Sequence, residues 1–197
     1  METVMRLTPE KLYSLEEYAR IRPQFRADVM EIKKRRRVAV GPNVCLYFEN
    51  ELTMQYQIQE MLRLERVFEP DLIQEELDVY NPLIPDGRNW KATMMLEYPD
   101  PEERKAQLAR LIDIEKKTYI QVADFDRVYP VANEDLDRTT EAKTASVHFL
   151  RFELTVAMAE AVVSGAVLRL GVAHPAYTHE TTVAGDIRAA LAQDIRA

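Results

Sequence analysis

Residues 144–154 read TASVHFLRFEL. Its side chains alternate with a period of two, which is typical of a β-strand. One face of that strand carries Ser146, His148, Leu150, Phe152 and Leu154. The next segment, Thr155–Ser164, is predicted to be a short helix with Gly165 just past its end, and Ala166–Ala173 to be a second strand. A strand, a helix and a strand therefore follow one another here.

Helices dominate the sequence before this region. The longest runs from Glu51 to Phe68, while Val38–Val40 and Val44–Phe48 predict two short strands around a turn. The tail, residues 181–197, carries apolar residues four apart and is predicted to be an amphipathic helix. Because helices and strands do not alternate strictly, the pattern indicates an α+β fold. We expect a helix-rich N-terminal half packed on a largely antiparallel sheet from the C-terminal half, as a single domain over residues 1–197.

Composition and charge exclude several classes of partner and compartment. The net charge is −7, from 26 Lys and Arg against 33 Asp and Glu, so we expect no nucleic-acid partner. No stretch approaches the ~20 apolar residues of a membrane span, so no membrane association is expected. A single cysteine, Cys45, and an N-terminus without an apolar run predict a cytoplasmic protein. The basic run 33–37 is interpreted either as a solvated helix end or as a site for an anionic ligand.

The common catalytic and cofactor motifs are absent from the sequence. It contains no Gly-rich phosphate loop, no G-x-S-x-G elbow and no H-E-x-x-H pair. One thiol cannot hold an iron–sulphur cluster or a cysteine-type zinc site, and no Glu-x-x-His pair suggests a di-iron bundle. We therefore expect neither a cofactor nor a stoichiometric metal.

Glu65 is the first candidate site residue. At about 100° per residue, it falls within an apolar stripe of the 51–68 helix. That stripe is formed by Met54, Ile58, Met61 and Phe68. A buried carboxylate must find a partner or become neutral. Glu65 is thus predicted to be buried, either in an ion pair or facing a ligand as an acid or base.

His148 and His174 are the second candidate pair, because each lies on the apolar face of a predicted strand. Only a short helix separates these strands, so we expect both histidines to lie close together in one sheet. Singly, each is interpreted as a hydrogen-bonded core histidine. Together with His179, they are weak candidates for a metal site, although their spacing is not specific for any metal.

Five segments together resemble a bacterial family of uncharacterised proteins, a domain of unknown function. They are LEEYARIRP at 15–23, QYQIQEMLR at 55–63, YNPLIPDG at 80–87, SVHFLRF at 146–152 and HPAY at 174–177. The resemblance extends over residues 5 to 180 and leaves the tail outside. It implies no activity and no site residues. From the resemblance we expect its genes to neighbour those of rubrerythrin and an iron–sulphur oxidoreductase, which implies a redox or oxidative-stress setting by association alone.

Two hypotheses about function follow. The first is an accessory protein that binds a ligand or a partner in a bacterial redox pathway, with a redox protein or a second copy of the chain as its partner. The alternative is an enzyme or metal-binding protein whose site is built from Glu65, His148 and His174.

Overall fold

The computed structural model describes residues 6–196 and confirms the α+β class. Within this range the chain forms six α-helices. They are α1 (Leu15–Lys34), α2 (Glu51–Glu65), α3 (Pro70–Tyr80), α4 (Pro101–Arg110), α5 (Val156–Val163) and α6 (Gly185–Ala192). None of these helices combines the length and the apolar character that crossing a membrane requires.

Eight strands are interspersed among the helices of residues 6–196, and all their described pairings are antiparallel. They are β1 (Arg37–Val40), β2 (Val44–Phe48), β3 (Asn89–Leu96), β4 (Thr118–Val122), β5 (Val131–Ala132), β6 (Val147–Glu153), β7 (Leu168–His174) and β8 (Tyr177–Thr182). A five-stranded sheet has the order β1-β2-β3-β6-β5, and a three-stranded sheet has the order β4-β7-β8. Three strands of the larger sheet thus come from the first half of the chain.

The strand–helix–strand unit connects the two sheets and does not stay within one. β6 lies in the five-stranded sheet and β7 in the three-stranded sheet, with α5 between them. Apolar side chains of both strands, such as Leu150 and Leu170, belong to the same buried cluster. The eight residues of α5 therefore carry the chain from one sheet to the other. This is why the sequence pattern identifies the two strands but not the sheet to which each belongs.

Alternation along β3 separates the core from the outer face of the five-stranded sheet. Trp90, Ala92 and Met94 are buried in the core between the sheets, whereas Lys91 and Thr93 point to the opposite face. On that outer face, the Glu49 carboxylate accepts hydrogen bonds from the hydroxyl groups of Thr93 and Thr53, at 2.8 and 2.6 Å. These bonds connect the start of α2 to β3.

The helices of the N-terminal half have a hydrophobic cluster of their own. Its buried members are Leu7, Met54, Ile58, Leu62, Leu77 and Ile84, contributed by the N-terminal segment, α2, α3 and the turn that follows. Three of them are spaced four residues apart along α2, as expected for one face of an amphipathic helix. The helical layer is therefore held by contacts separate from those between the sheets.

Arg36 joins the end of α1 to the C-terminal segment. Its guanidinium donates to the carbonyl oxygens of Phe48 and Glu49, at 2.9 and 3.0 Å, and forms an ion pair with Asp194. Both side chains are buried, with exposed fractions of 4% and 9%. In the same segment, the apolar side chains of Val183, Leu191 and Ile195 are buried, although α6 is shorter than the helix predicted for the tail.

We predict that Asp194→Ala destabilises the protein strongly, because it leaves the buried Arg36 cation without its counter-charge. Breaking one partner of a buried pair costs about 3–5 kcal/mol. For a chain of this size, that lowers the Tm by roughly 10 °C. The measurement is thermal unfolding by circular dichroism. Asp186→Ala, an exposed acid in the same C-terminal segment, is the matched control, and an equal Tm for both variants would contradict the prediction.

Candidate functional site

A cleft of about 480 Å³ opens between the end of α3 and the outer face of the five-stranded sheet. Ligand sites in proteins commonly enclose about 300–1,000 Å³. Its apolar wall consists of Val79, Tyr80, Pro82, Leu83 and Phe149. Its charged side chains are Asp78, Lys91, Glu134, Asp135, Arg138 and Arg151. The cleft therefore combines a hydrophobic surface with several fixed charges.

Local sequence explains how these groups converge. Helix α3 ends at Tyr80, and Pro82 then lies in a short 3-10 turn because proline cannot continue an α-helix. On the sheet, Lys91 of β3 lies directly opposite Arg151 of β6, and both side chains point to the outer face. The segment between β5 and β6, residues 133–146, supplies Glu134, Asp135 and Arg138, and α3 supplies Asp78.

The two arginines of the cleft are already paired with carboxylates. Arg151 donates to both oxygens of Glu134, at 2.8 and 2.7 Å. Arg138 forms an ion pair with Asp135, and its guanidinium lies 4.6 Å from the centre of the Phe149 ring. These pairs fix the position of the cleft wall and leave little positive charge on the arginines to attract a further anion.

Lys91 differs from the arginines, because it forms no ion pair with any residue in the described range 6–196. Its Nζ donates to the carbonyl oxygen of Pro82, at 2.5 Å. Burial lowers the pKa of Lys91 and the Arg151 cation lowers it further, whereas Asp86 acts in the opposite direction. The carboxylates of Glu134 and Glu153 also raise this pKa, but no acid of the described range lies within ion-pair distance of Nζ. The cleft thus holds a partly buried ammonium group without a directly paired anion.

A second polar group lies beside the cleft, and we call it the buried cluster. Its members are Glu115, Asn133, Thr139, Thr144 and His148. It adjoins a cavity of about 310 Å³, lined by residues 132–137 together with Glu115 and Lys116. Glu134 and Asp135 line both this cavity and the cleft, so the two sites share one wall.

The hydrogen bonds of the cluster assign the proton on His148. The amide oxygen of Asn133 accepts from the backbone N–H of Phe149, at 3.1 Å, so its amide nitrogen donates to His148 Nδ1, at 3.0 Å. His148 Nε2 then carries the hydrogen and donates to the carbonyl oxygen of Ala145, at 3.0 Å. Burial lowers the pKa of His148, opposed by the Glu115 carboxylate, and the imidazole is therefore neutral near pH 7.

Glu115 is bonded at only one of its two oxygens. Oε1 accepts from the Thr139 hydroxyl at 3.1 Å, and a chain of hydroxyl groups continues from there through Thr144 to His148 Nε2, with steps of 3.0 Å. Oε2 is buried and has no hydrogen-bond partner in the described structure. It lies 4.0 Å from His148 Nδ1, which is itself an acceptor. Two acceptors therefore face each other.

The prediction that Glu65 is buried is wrong. Glu65 is the last residue of α2 and is exposed, because the chain reverses at Arg66 in a left-handed conformation with φ 57°. The apolar residues near it, Leu64 and Phe68, are 62% and 71% exposed. The end of the helix from Leu64 onward therefore extends past the elements against which the rest of α2 packs.

The prediction that His148 and His174 are neighbours in one sheet is also wrong, since they lie in different sheets. His174 is held by backbone groups: Nε2 donates to the Ile112 carbonyl oxygen, at 3.0 Å, and Nδ1 accepts from the Ala176 N–H, at 3.1 Å. His179 is exposed on β8 and packs against the Tyr177 ring. Over residues 6–196, no group of three or more His, Cys, Asp or Glu side chains is placed to hold a metal.

Sequence reasoning missed Lys91, Glu115 and Asn133. The alternation of Lys91 with the apolar Trp90 and Ala92 was a usable signal, because a lysine within a buried strand must face the other side of its sheet. Glu115 gave no such signal. In the structure it belongs to a 3-10 turn, Ile114–Lys117, directly before β4.

We predict that His148 makes stability depend on pH. Its folded-state pKa is below the value of ~6.5 expected in the unfolded chain. Acidification therefore protonates His148 in the unfolded chain first. The stabilisation that the neutral, buried imidazole gives to the folded state is present above pH ~6.5 and is lost as the pH falls. The Tm difference between wild type and His148→Gln should narrow from about pH 7.5 to about pH 5.5.

His179→Gln, which removes an exposed imidazole, is the control for the same comparison. A Tm difference for His148→Gln that widens on acidification would show instead that the folded protein holds His148 as a cation beside Glu115.

A solved structure and a protein family match this chain. A crystal structure at 1.90 Å resolution, described as a novel protein of unknown function from Burkholderia pseudomallei, is similar to this chain with 47% sequence identity and a TM-score of 0.92. The match covers 98% of this chain and 100% of that one. A search of the curated proteins gave no significant match.

The profile of a family described as "Protein of unknown function (DUF3501)" matches residues 6–195. This match includes the tail, which the resemblance seen in the sequence had left outside. The family profile thus covers nearly the whole sequence, and the chain belongs to the DUF3501 family.

Proposed function

We propose that this protein binds a small molecule with an apolar body and one anionic group, and that the cleft between α3 and the five-stranded sheet is its site. The anionic group pairs with the Lys91 ammonium. The apolar body lies along the wall formed by Val79, Tyr80, Pro82, Leu83 and Phe149.

Lys91 is the observation that carries this proposal. Partial burial of a charged amine costs free energy, and the lowered pKa of Lys91 reflects that cost. An anion placed beside Nζ offsets it, because an opposite charge favours the ammonium form. The neighbouring arginines are less available to pair with the anion, since they already form ion pairs with Glu134 and Asp135.

The apolar wall supports a ligand that is more than an isolated anion. Val79 is 63% exposed beside the cleft, and one face of the Phe149 ring is covered by the Arg138 guanidinium. Removing such apolar surface from water contributes about 25 cal/mol per Å². A medium-chain or aromatic carboxylate of drug-like size matches both the volume and the chemistry of the cleft.

A binding role agrees with the first of the two hypotheses drawn from the sequence. The alternative site of Glu65, His148 and His174 loses its support, because one residue is exposed at the end of α2 and the two histidines lie in different sheets. The redox setting, the redox partner, the homodimer and the cytoplasmic location stay predictions.

We predict that Lys91→Met weakens the binding of decanoate and leaves the binding of decanol unchanged. Methionine keeps an unbranched apolar side chain but removes the charge. Loss of a charge-assisted hydrogen bond worth about 1.5–3 kcal/mol corresponds to a roughly 10- to 100-fold weaker Kd. Isothermal titration calorimetry with both probes measures this difference.

Lys105→Met, which removes an exposed lysine of α4, is the matched control and should leave both affinities unchanged. Phe149→Ala should weaken both probes, because it removes part of the apolar wall. Equal decanoate affinity for Lys91→Met and Lys105→Met, or no decanoate binding by the wild-type chain, would contradict the proposal.

A further inference from the structure

We propose that His148 makes ligand binding in the cleft depend on pH: its neutral imidazole holds Asn133 in place, and protonation releases Asn133 and weakens binding. This inference rests on the proposed function, because it concerns the regulation of that same site. It gives the buried cluster a role, since the cluster supports the segment 133–146, which forms part of the cleft wall.

Asn133 connects the imidazole to the cleft wall. Its φ is 53°, a left-handed conformation that is uncommon for residues other than glycine. Its backbone N–H donates to the Phe149 carbonyl oxygen at 2.8 Å, and its side-chain oxygen accepts from the Phe149 N–H at 3.1 Å. Its amide nitrogen donates to His148 Nδ1 at 3.0 Å. Of these three hydrogen bonds, only the last involves a group that titrates between about pH 5 and 8.

The two residues that follow Asn133 line the cleft. Glu134 pairs with Arg151, and Asp135 pairs with Arg138. These ion pairs hold the charged part of the cleft wall in position. Because the three residues are consecutive in the chain, a change of the backbone at Asn133 moves the groups that bound the cleft.

Protonation of His148 removes its bond to Asn133, because Nδ1 then carries a hydrogen and cannot accept another. The unpartnered Oε2 of Glu115 lies 4.0 Å from the same nitrogen. Both atoms are inside the protein, so this pair needs neither a ligand nor access from solvent. A movement of about 1 Å brings the Nδ1–H group within hydrogen-bond distance of Oε2. One ring nitrogen therefore has two alternative partners, Asn133 for the neutral imidazole and Glu115 for the imidazolium.

The charged groups around His148 act in opposite directions. Glu115, in the 3-10 turn before β4, favours the cation, and Arg138, in the segment 133–146, disfavours it. The strands β3 and β5, which flank β6, present uncharged side chains to this face, such as Met94 opposite His148. Burial lowers the pKa of His148, so the neutral state bonded to Asn133 is the one present above pH ~6.5, and the cation forms only below it.

The test measures decanol binding to the full chain by isothermal titration calorimetry, because decanol itself does not titrate. From about pH 7.5 to about pH 5.0 we expect the wild-type affinity to fall about fivefold, the value of one hydrogen bond. Glu134 and Asp135 stay ionised, because their arginine partners lower the pKa of both carboxyl groups. His148→Gln should bind decanol equally at both pH values, whereas His179→Gln, the control at an exposed imidazole, should follow the wild type. A fall that His148→Gln shares, or no fall in the wild type, overturns the inference.

Asn133→Gly is the second variant, because glycine adopts the left-handed conformation freely and this partly exposed position should tolerate it even where His148→Gln does not fold. Without the side-chain amide, decanol affinity should not depend on pH.

NMR of the ligand-free, 15N-labelled chain follows the release of Asn133 directly. Its side-chain amide signals should move with the same pH midpoint as the His148 ring protons. A ring that titrates while these amide signals stay fixed overturns the inference, whether or not a ligand binds. Absence of decanoate binding at pH 7.5 contradicts the proposed function instead, so the two failures are distinguishable.

Discussion

Side-chain alternation along β3 is the constraint on which the rest of the structure depends. Trp90, Ala92 and Met94 enter the core between the sheets, and the Trp90 indole N–H donates to the Leu191 carbonyl oxygen, at 2.9 Å. A shift of one residue in register would bury Lys91 there and expose Trp90, at a cost of several kcal/mol. The register is thereby fixed, and Lys91 has to lie on the outer face, where α3 and the turn after it form the cleft.

The side chains of β6 alternate in step with those of β3, because the two strands are paired. His148 lies opposite Met94 on the core side, while Arg151 lies opposite Lys91 on the outer side. The cleft and the buried cluster are therefore built on opposite faces of one strand pair. The segment 133–146 serves both, because Asp135 and Arg138 line the cleft whereas Asn133 and the two threonines bond the cluster. The cleft and the buried cluster both depend on the position of this one segment.

The sequence predicted those features that depend on local periodicity. It indicated the α+β class, the strand at β6, the hairpin at Gly41, whose φ is +74°, and the left-handed Gly165 after α5. The prediction for Glu65 failed because a helical wheel assumes that a helix is packed along its whole length, and α2 is not packed at its end. The prediction for the two histidines failed because alternation shows which face of a strand a side chain occupies but not which sheet the strand joins. The surroundings of Lys91 and Glu115 could not be predicted, because they depend on contacts with residues far away in the chain.

A crystal structure of the protein soaked with decanoate tests the central claim most directly. The account predicts density for the ligand in the cleft, with a carboxylate oxygen within about 4 Å of Lys91 Nζ and the chain along Phe149 and Val79. Decanoate bound elsewhere, or in the cleft with its carboxylate pointing to solvent and Lys91 still bonded only to Pro82, would contradict it.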